Sequence, residues 1–384
     1  MIYLDYGATS YIKPQCVKDA IIFALDNLCG NPGRGGHEIS NAASLSVFNA
    51  RKKVADFFGG RPENTIFTYN TTYAINTALK ATYIEGTHIL ISDLEHNSVL
   101  RPVAKITGDS FSSYSLFDSF IELSSYDRKR AVISSIRSKL RPLTKTLVCT
   151  ARSNVTGDTM PIREIGKFCR ERGIYFIVDA AQAAGFDRIN VEDDYIDALC
   201  IPGHKGLYGP MGTGAVIFSE NGADRSKISS FIEGGSGTSS LDINMPDALP
   251  EKLEGGTLGV PAICGLSAGI DYVNKIGIEN IAKKESELIM RAHFILASNK
   301  KIHIYSDFDN NQLLLFNISG KTSEESADEL NKRGICVRGG FHCAPLAHKR
   351  MGTPAHGAVR MSVGFDTTTE EIDRFAETLN DITT

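Results

Sequence analysis

The sequence predicts an α/β protein: a large domain with a mainly parallel, mixed sheet covered by helices, followed by a smaller C-terminal α+β domain. Two observations predict this fold class. In the middle of the 384-residue chain, strands too apolar to be half exposed alternate with helix-like segments, and this alternation ends near residue 260. Strands of that kind are typical of parallel sheets buried on both faces. We therefore expect a large domain over residues 14–259 and a small domain formed by residues 1–13 and 260–384.

Short apolar runs mark the predicted strands of the large domain. In order along the chain, they cover residues 87–92, 146–151, 174–178, 198–201 and 214–219. Between the second and third runs, Ile162, Ile165 and Phe168 have helical spacing, and Gly173 stands where a C-terminal cap is expected. This strand–helix–strand order favours parallel pairing.

The end of the chain has a different pattern, in which longer helix-like segments enclose a few short strands. Helices are predicted near residues 261–274, 281–297, 323–333 and 369–379, and strands at 313–318 and 335–337. This mixture predicts the α+β small domain, with which we expect residues 1–13 to pack. Because ligands of open α/β sheets collect at the carboxyl ends of strands, polar residues directly after strands are the first functional candidates.

Composition and charge argue against several functional classes. The 41 Lys and Arg residues are balanced by 45 Asp and Glu residues, and the net charge of -4 argues against a nucleic-acid-binding protein. No apolar run approaches the length of about 18 residues that a membrane span needs, and we expect no secretory signal at the N-terminus. The eight cysteines form no C-x-x-C pair, which favours free thiols in a reducing, cytoplasmic environment.

Two polar residues that follow apolar strands carry the strongest chemical signal. Asp179 comes directly after the run at 174–178, and a carboxylate there is costly unless something pairs with it. Lys205 follows the run at 198–201 in a glycine-rich segment, and a lysine in a desolvated pocket becomes a nucleophilic amine. An ordinary ion pair, or a surface lysine, is the alternative interpretation. Together, an amine and an acid are what pyridoxal 5′-phosphate (PLP) requires, as Schiff-base former and as partner of the pyridine nitrogen.

Nine segments of the chain resemble those of a known enzyme family and occur in its order. They read YLDYGATS, FTYNTTYAIN, LEHNSV, SNVTGD, IVDAAQAAG, PGHKGLYGPMGTG, EGGTLG, VRGGFHCAP and VRMSVG. In these segments the chain resembles the class V aminotransferase-fold PLP enzymes, specifically the cysteine desulfurase and selenocysteine lyase family. The resemblance implies the PLP-dependent transferase fold of type I.

The resemblance also implies roles around the cofactor ring. Lys205 would be the Schiff-base lysine, and Asp179 would pair with the pyridine nitrogen. Gln182 would hydrogen-bond the phenolic oxygen of the ring. His96 would stack on the ring face and move protons.

Further residues match the family's phosphate contacts. Thr71 and Thr72 would bind the phosphate near a helix N-terminus, where backbone N–H groups and the helix dipole favour anions. His204 would add a phosphate contact. Thr257 resembles a residue that the family lends to the phosphate of the partner subunit, which implies a homodimer with shared active sites.

Substrate and sulfur chemistry are implied for a third group. Asn154 would lie near cofactor and substrate, and the Arg360 guanidinium suits a bidentate grip on an α-carboxylate. Cys343 matches the persulfide-forming cysteine of the family, although a cysteine is more often a small buried hydrophobic residue. Two neighbouring cations, Arg338 and His342, are expected to favour its thiolate.

Three functions follow as alternatives. The first is a PLP-dependent cysteine desulfurase, which converts L-cysteine to L-alanine and passes a Cys343 persulfide to a sulfur-acceptor protein. The second is a selenocysteine lyase or another β-lyase, because Tyr6, Gly7, Tyr73 and Pro202 depart from the family pattern. The third, from another class, is a non-catalytic scaffold that docks sulfur carriers.

A metal site is a further alternative in the tail. The spacing of His342, Cys343, His348 and His356 matches no zinc pattern, and a second clustered ligand pair is missing. We therefore expect no metal.

Overall fold

The computed structural model describes residues 1–33, 36–108, 113–224 and 228–383. Over these ranges the helices are α1 Gln15–Asn27, α2 Glu38–Phe57, α3 Thr71–Thr82, α4 Asn97–Thr107, α5 Ser125–Lys139, α6 Ile162–Arg170, α7 Val260–Ile276, α8 Ile278–Ala297, α9 Ser323–Lys332, α10 Pro345–Arg350 and α11 Thr369–Thr383. The strands are β1 Ile2–Tyr3, β2 Thr65–Thr68, β3 His88–Ser92, β4 Tyr114–Phe117, β5 Thr144–Thr150, β6 Tyr175–Asp179, β7 Ala198–Pro202, β8 Gly214–Phe218, β9 Ile302–Ile304, β10 Leu313–Ile318, β11 Ile335–Cys336 and β12 Val359–Ser362.

A seven-stranded sheet with the order β2-β8-β7-β6-β5-β3-β4 forms the centre of the large unit. The neighbouring strands from β7 to β4 pair in parallel, whereas β8 runs antiparallel to both β7 and β2. Helices cover both faces. In β3, Ile89 and Ile91 pack with α3 and α4, while Leu90 belongs to the core beneath α2, α5 and α6. Burial on both faces explains why the strands are apolar throughout and confirms the predicted fold class.

A smaller unit combines the two ends of the chain. The antiparallel sheet β12-β10-β9 packs with α8, α9 and α11, and β1 pairs in parallel with β11. Leu4, Phe316 and Phe375 are fully buried in this core. An isolated bridge joins Asp5 to Ser362 and thereby aligns the N-terminal segment with β12.

The elements agree with the predicted ones to within three residues, except that α11 extends to Thr383. No segment was predicted for α1, α2, α4, α5, α10, β1, β2, β4, β9 or β12, and for α3 only a helix N-terminus near Thr71 was implied. Helix α5 is strongly polar, and β4 is mostly half-buried, so neither has the apolar run used for prediction. Within the described ranges, no helix has both the length and the apolar character needed to cross a membrane.

Candidate active site

A cavity lies at the carboxyl edge of the large sheet, among the loops that follow β2, β3, β5, β6 and β7. Its lining residues are Asn70, Thr71, Thr72, His96, Ser98, Thr150, Arg152, Asn154, Asp179, Ala181, Gln182, His204 and Lys205. Eight of the residues singled out in the sequence are therefore brought together by the parallel sheet, because the carboxyl ends of its strands meet at one edge. Thr257, Arg360 and Cys343 lie outside this lining.

Asp179 is the last residue of β6, and Lys205 follows the neighbouring strand β7, with which Asp179 pairs through Cys200. Asp179 accepts a 2.8 Å hydrogen bond from the Ala181 N–H. Burial raises the pKa of Asp179. The hydrogen bond from Ala181 and the charge of Lys205 act in the opposite direction but are smaller effects. Burial, with the nearby charge of Arg360, lowers the pKa of Lys205 to about 8. An amine with this pKa loses its proton readily near neutral pH and can act as nucleophile or base.

His96 is held as a neutral imidazole at the start of α4. Its Nδ1 accepts the Ser98 N–H at 3.0 Å and lies 2.8 Å from Ser98 Oγ. Ser98 Oγ in turn lies 2.7 Å from Thr72 Oγ1. Burial and the charges of Lys205 and Arg360 lower the pKa of His96 to about 4. Because Nδ1 is an acceptor, the single proton of the neutral ring sits on Nε2. Sequence reasoning missed Ser98, although a hydroxyl at a helix N-terminus is a recognisable signal.

Helix α3 begins at this cavity. The Asn70 side chain accepts the Tyr73 N–H at 2.9 Å, while the other N–H groups of the first turn have no acceptor within the helix. Thr71 and Thr72 open that turn and line the cavity. His204 lies 3.0 Å from Thr9 through Nδ1. This set of N–H and O–H donors at a helix N-terminus suits an anion such as a phosphate.

The cavity thus contains the groups that PLP needs. Asp179 is a buried carboxylate without a hydrogen-bonded cation among the described residues, Lys205 is a primary amine with a lowered pKa, and the first turn of α3 offers N–H donors to an anion. A protonated pyridine nitrogen would compensate the charge of the Asp179 carboxylate, and a phosphate would accept hydrogen bonds from the N–H groups of the first turn of α3. The residues present therefore fit this cofactor.

Glu95 is a buried acid that sequence reasoning missed. It is 0 % exposed and accepts hydrogen bonds from the Ser92 hydroxyl and, at 2.7 Å, from the Thr150 N–H. Its Oε2 has no hydrogen-bond partner among the described residues. Burial raises the pKa of Glu95 to about 8, and the nearby Asp179 adds to this. A protonated Glu95 therefore connects the ends of β3 and β5, beside His96. An acid directly before His96, after an apolar strand, was the available signal.

Arg360 lies outside the lining of the cavity, and its guanidinium connects the small unit to the large one. It donates to Asp5 Oδ1 at 3.0 Å and to the Asn154 carbonyl at 2.9 Å. Arg338 donates to the other oxygen of Asp5 at 2.9 Å. A Cβ at Gly7 would lie 3.0 Å from Arg360 Cζ. Gly7, a departure from the family pattern, therefore gives the guanidinium the space it occupies.

Cys343 is exposed, and its loop is attached to the rim of the cavity. The Asn97 N–H donates to the Cys343 carbonyl at 2.7 Å, and Asn154 Nδ2 donates to the His342 carbonyl at 2.8 Å. Because Asn97 follows His96 and Asn154 lines the cavity, these bonds hold the cysteine segment beside it. The predicted cationic role of His342 is wrong. Burial and the charge of Arg360 lower its pKa to about 3, so the ring is neutral. Arg338 is the remaining cation near the thiol.

The other predicted residues differ in their surroundings. Gln182 lines the cavity and donates from Nε2 to the Gly7 carbonyl at 2.8 Å. Thr257 is exposed, just before α7, and has no place in the cavity of its own chain. His342 and His348 are hydrogen-bonded to each other, with 3.1 Å between Nδ1 of His342 and Nε2 of His348. Among the described residues, no group of three or more His, Cys, Asp or Glu side chains converges on one point.

Comparison with known proteins identifies the class. The family model described as Aminotransferase class-V matches residues 2–375. The chain therefore belongs to the class V aminotransferase family, which confirms the resemblance found in the sequence.

Two similar relatives and one similar solved structure carry the name cysteine desulfurase. A probable cysteine desulfurase from Methanothermobacter thermautotrophicus is 31% identical over 390 residues, covering 99% of this chain and 94% of the relative. A cysteine desulfurase from Haloferax volcanii is 30% identical over 394 residues, covering 99% of this chain and 89% of the relative. The apo structure of cysteine desulfurase from Thermococcus onnurineus NA1 superposes with a TM-score of 0.87 at 27% identity, covering 100% of this chain and 94% of that one.

Proposed function

We propose that this protein is a PLP-dependent cysteine desulfurase, which converts L-cysteine to L-alanine and forms a persulfide on Cys343. The observation that carries the proposal is the attachment of the Cys343 loop, through Asn97 and Asn154, to the cavity that holds Asp179 and Lys205. A thiol beside an amine and a buried acid suits sulfur removal better than a structural role. The names of the relatives support the same activity.

Bound PLP would supply an aldehyde that condenses with amines and a pyridine ring that stabilises negative charge on a substrate carbon. Lys205 would hold the aldehyde. Asp179 would accept a hydrogen bond from the protonated ring nitrogen and keep that nitrogen charged, and the first turn of α3 with His204 would bind the phosphate. Gln182 would face the ring oxygen, and His96 would cover the ring with a neutral imidazole.

Arg360 and Lys205 would act on the substrate. Each terminal nitrogen of Arg360 uses one N–H for Asp5 or Asn154 and keeps a second, so two donors remain for an α-carboxylate. Lys205, with its pKa of about 8, would take the proton from the substrate Cα as general base.

Cys343 would carry out the sulfur step. Its thiolate attacks the substrate sulfur, a bond between the two sulfurs forms, and the substrate C–S bond breaks. The bonding electrons stay with the carbon skeleton, which takes up protons and leaves as L-alanine. The sulfur remains on Cys343 as a persulfide for an acceptor protein. Because Cys343 is exposed, such a protein can reach it.

We further propose a homodimer with shared sites. Large apolar side chains remain exposed on the described faces of α1 and α2: Ile22, Phe23, Leu25, Ile39, Leu45 and Phe48. A partner subunit would cover them, and the exposed Thr257 would reach the phosphate in the partner's cavity. The same proposal divides the chain into a large domain, residues 14–259, and a small domain, residues 1–13 and 260–384. It also includes a cytoplasmic location, which suits the eight free cysteines.

The experiment that tests the activity follows sulfur and cofactor separately. Protein loaded with PLP is given L-cysteine, alanine is quantified, and the Cys343 peptide is analysed by mass spectrometry. We expect alanine formation, a mass gain of one sulfur on that peptide, and a visible absorption band of lysine-bound cofactor that Lys205→Ala loses.

Two cysteine variants serve as test and matched control. Cys343→Ala should lower alanine formation from L-cysteine at least 100-fold while the cofactor band persists. Cys16→Ala, which removes another exposed thiol, should leave alanine formation unchanged. Undiminished alanine formation by Cys343→Ala would reject the assigned role. A wild-type protein without a cofactor band would favour the scaffold alternative. Loss of dimerisation or of cofactor affinity in Thr257→Ala tests the shared site.

A further inference from the structure

Two buried histidines beside Cys343 form a hydrogen-bonded pair that the proposed reaction does not use. His342 directly precedes the cysteine, and His348 lies in α10, the short helix that follows it. Their ring planes are nearly parallel, with an interplanar angle of 14° and centroids 5.3 Å apart. His342 Nδ1 lies 3.1 Å from His348 Nε2. His348 is 0 % exposed, so water does not compete for this contact.

The groups at the ends of the pair determine the direction of its hydrogen bonds. His342 Nε2 lies 3.2 Å from the Arg338 carbonyl oxygen, which only accepts, so Nε2 carries the proton. Since the buried rings are neutral, His342 Nδ1 is then an acceptor, and His348 Nε2 donates to it. His348 Nδ1 accepts from the hydroxyl of Thr353, which is 2.8 Å away and buried. Thr353, His348, His342 and the Arg338 carbonyl thus form one relay in which each hydrogen bond points the same way.

The relay holds a side chain that belongs to a strained part of the backbone. His342 has a φ of 50° and Cys343 a φ of 54°, in the left-handed region that side-chain-bearing residues rarely adopt. Two such residues in succession persist only where their surroundings hold them. The carbonyl groups of both are held by Asn154 and Asn97, and the ring of His342 is held by the relay.

We propose that His348 and Thr353 are positioning residues, which hold the His342 ring and through it present Cys343 to the sulfur of the substrate. The inference rests on the proposed function of Cys343. Attack by a protein thiol requires a sulfur atom fixed at one position, because a displacement of about 1 Å is costly to rate. Loss of a good leaving group from the same substrate carbon requires no protein thiol. Only the first reaction should therefore depend strongly on the relay.

The test compares two substrates on PLP-loaded protein. L-Cysteine needs the Cys343 thiolate, whereas β-chloroalanine loses chloride together with the C–Cl bonding electrons. In His348→Ala and Thr353→Val, we expect turnover of L-cysteine to fall at least tenfold more than turnover of β-chloroalanine, with the cofactor absorbance retained. Thr353→Val removes only a hydroxyl and therefore keeps the test valid if His348→Ala folds poorly.

Conservative variants and a second measurement separate positioning from general damage. His348→Gln places an amide N–H where it can donate to His342 Nδ1, and Thr353→Ser keeps the hydroxyl, so both should restore most of the L-cysteine turnover. His356→Ala, an exposed histidine on the same segment, is the matched control and should behave like wild type. Hydrogen exchange of the backbone amides in residues 338–347 should be faster in His348→Ala and Thr353→Val than in wild type.

Two results would overturn the positioning role: an equal loss of turnover on both substrates, or unchanged exchange in residues 338–347. A wild-type protein that turns over neither substrate would refute the proposed function instead. The exchange measurement, which needs no turnover, would still decide whether the relay holds the loop.

Discussion

Substitution of Glu95 by Gln should make the protein more stable at high pH than the wild type. The pKa of this buried acid is raised from 4.5 to about 8, because burial disfavours its charged form. The folded protein therefore binds the proton of Glu95 more tightly than the unfolded chain does. The contribution of this proton to the free energy of unfolding is complete below about pH 4.5. It is lost progressively as the pH rises to about 8, because the unfolded chain releases the proton first.

The size of the effect follows from the two pKa values. Each pKa unit corresponds to about 1.36 kcal/mol, so complete ionisation costs the wild type about 5 kcal/mol. Between pH 5 and pH 9, the free energy of unfolding of Glu95→Gln should rise relative to wild type by about 4 kcal/mol. Gln keeps an oxygen that can accept from Ser92 and the Thr150 N–H, so its remaining effects are independent of pH.

The assay is urea unfolding of the protein without added cofactor at pH 5, 7 and 9. The chain contains no Trp, so circular dichroism is the appropriate signal. Glu85→Gln, which changes an exposed acid, is the matched control and should differ from wild type equally at each pH. A difference for Glu95→Gln that stays constant from pH 5 to pH 9 would refute the reasoning, since Glu95 would then titrate as it does in the unfolded chain.

Three further predictions concern the walls of the cavity. Asp5→Asn should lower the free energy of unfolding in urea by about 3 kcal/mol, because the buried Arg360 loses its carboxylate partner; a loss below about 1 kcal/mol would contradict this. Gly7→Ala should raise the KM for L-cysteine several-fold at similar kcat, since its Cβ would lie 3.0 Å from Arg360 Cζ, and an unchanged KM would speak against Arg360 as the carboxylate site. Ser98→Ala should lower kcat/KM about fivefold through the loss of one hydrogen bond to His96, whereas Ser98→Thr should not; equal rates would mean that the backbone N–H alone holds the ring.

The sheet could be predicted because burial on both faces leaves a local trace. Ile89, Leu90 and Ile91 contact different helices, yet all three must be apolar, and that run is visible without knowledge of the partners. Helices α1 and α2 lack such a trace. Their apolar residues include exposed ones such as Phe23 and Phe48, so the stripe facing the core is masked.

The protonation of the site residues was harder to predict. His342 has the sequence signature of a cation beside a cysteine, but its protonation state depends on burial and on Arg360, which lies in β12. The same holds for Glu95, whose partner Thr150 is 55 residues away. Charge in a protein interior is decided by contacts between distant segments, and the sequence does not list these contacts.

By itself, the sequence determined the fold class and the chemical types assembled at the sheet edge. Strand periodicity and the polar residue after each strand are local properties, and a parallel sheet brings the carboxyl ends of its strands to one edge. The tertiary structure decided how those groups are held and charged. Asp5 and Arg360 are 355 residues apart, and the relay from Thr353 to Arg338 depends on a helix folding back over the cysteine loop. Hydrogen bonds and desolvation act over a few ångströms in space, whatever the separation along the chain.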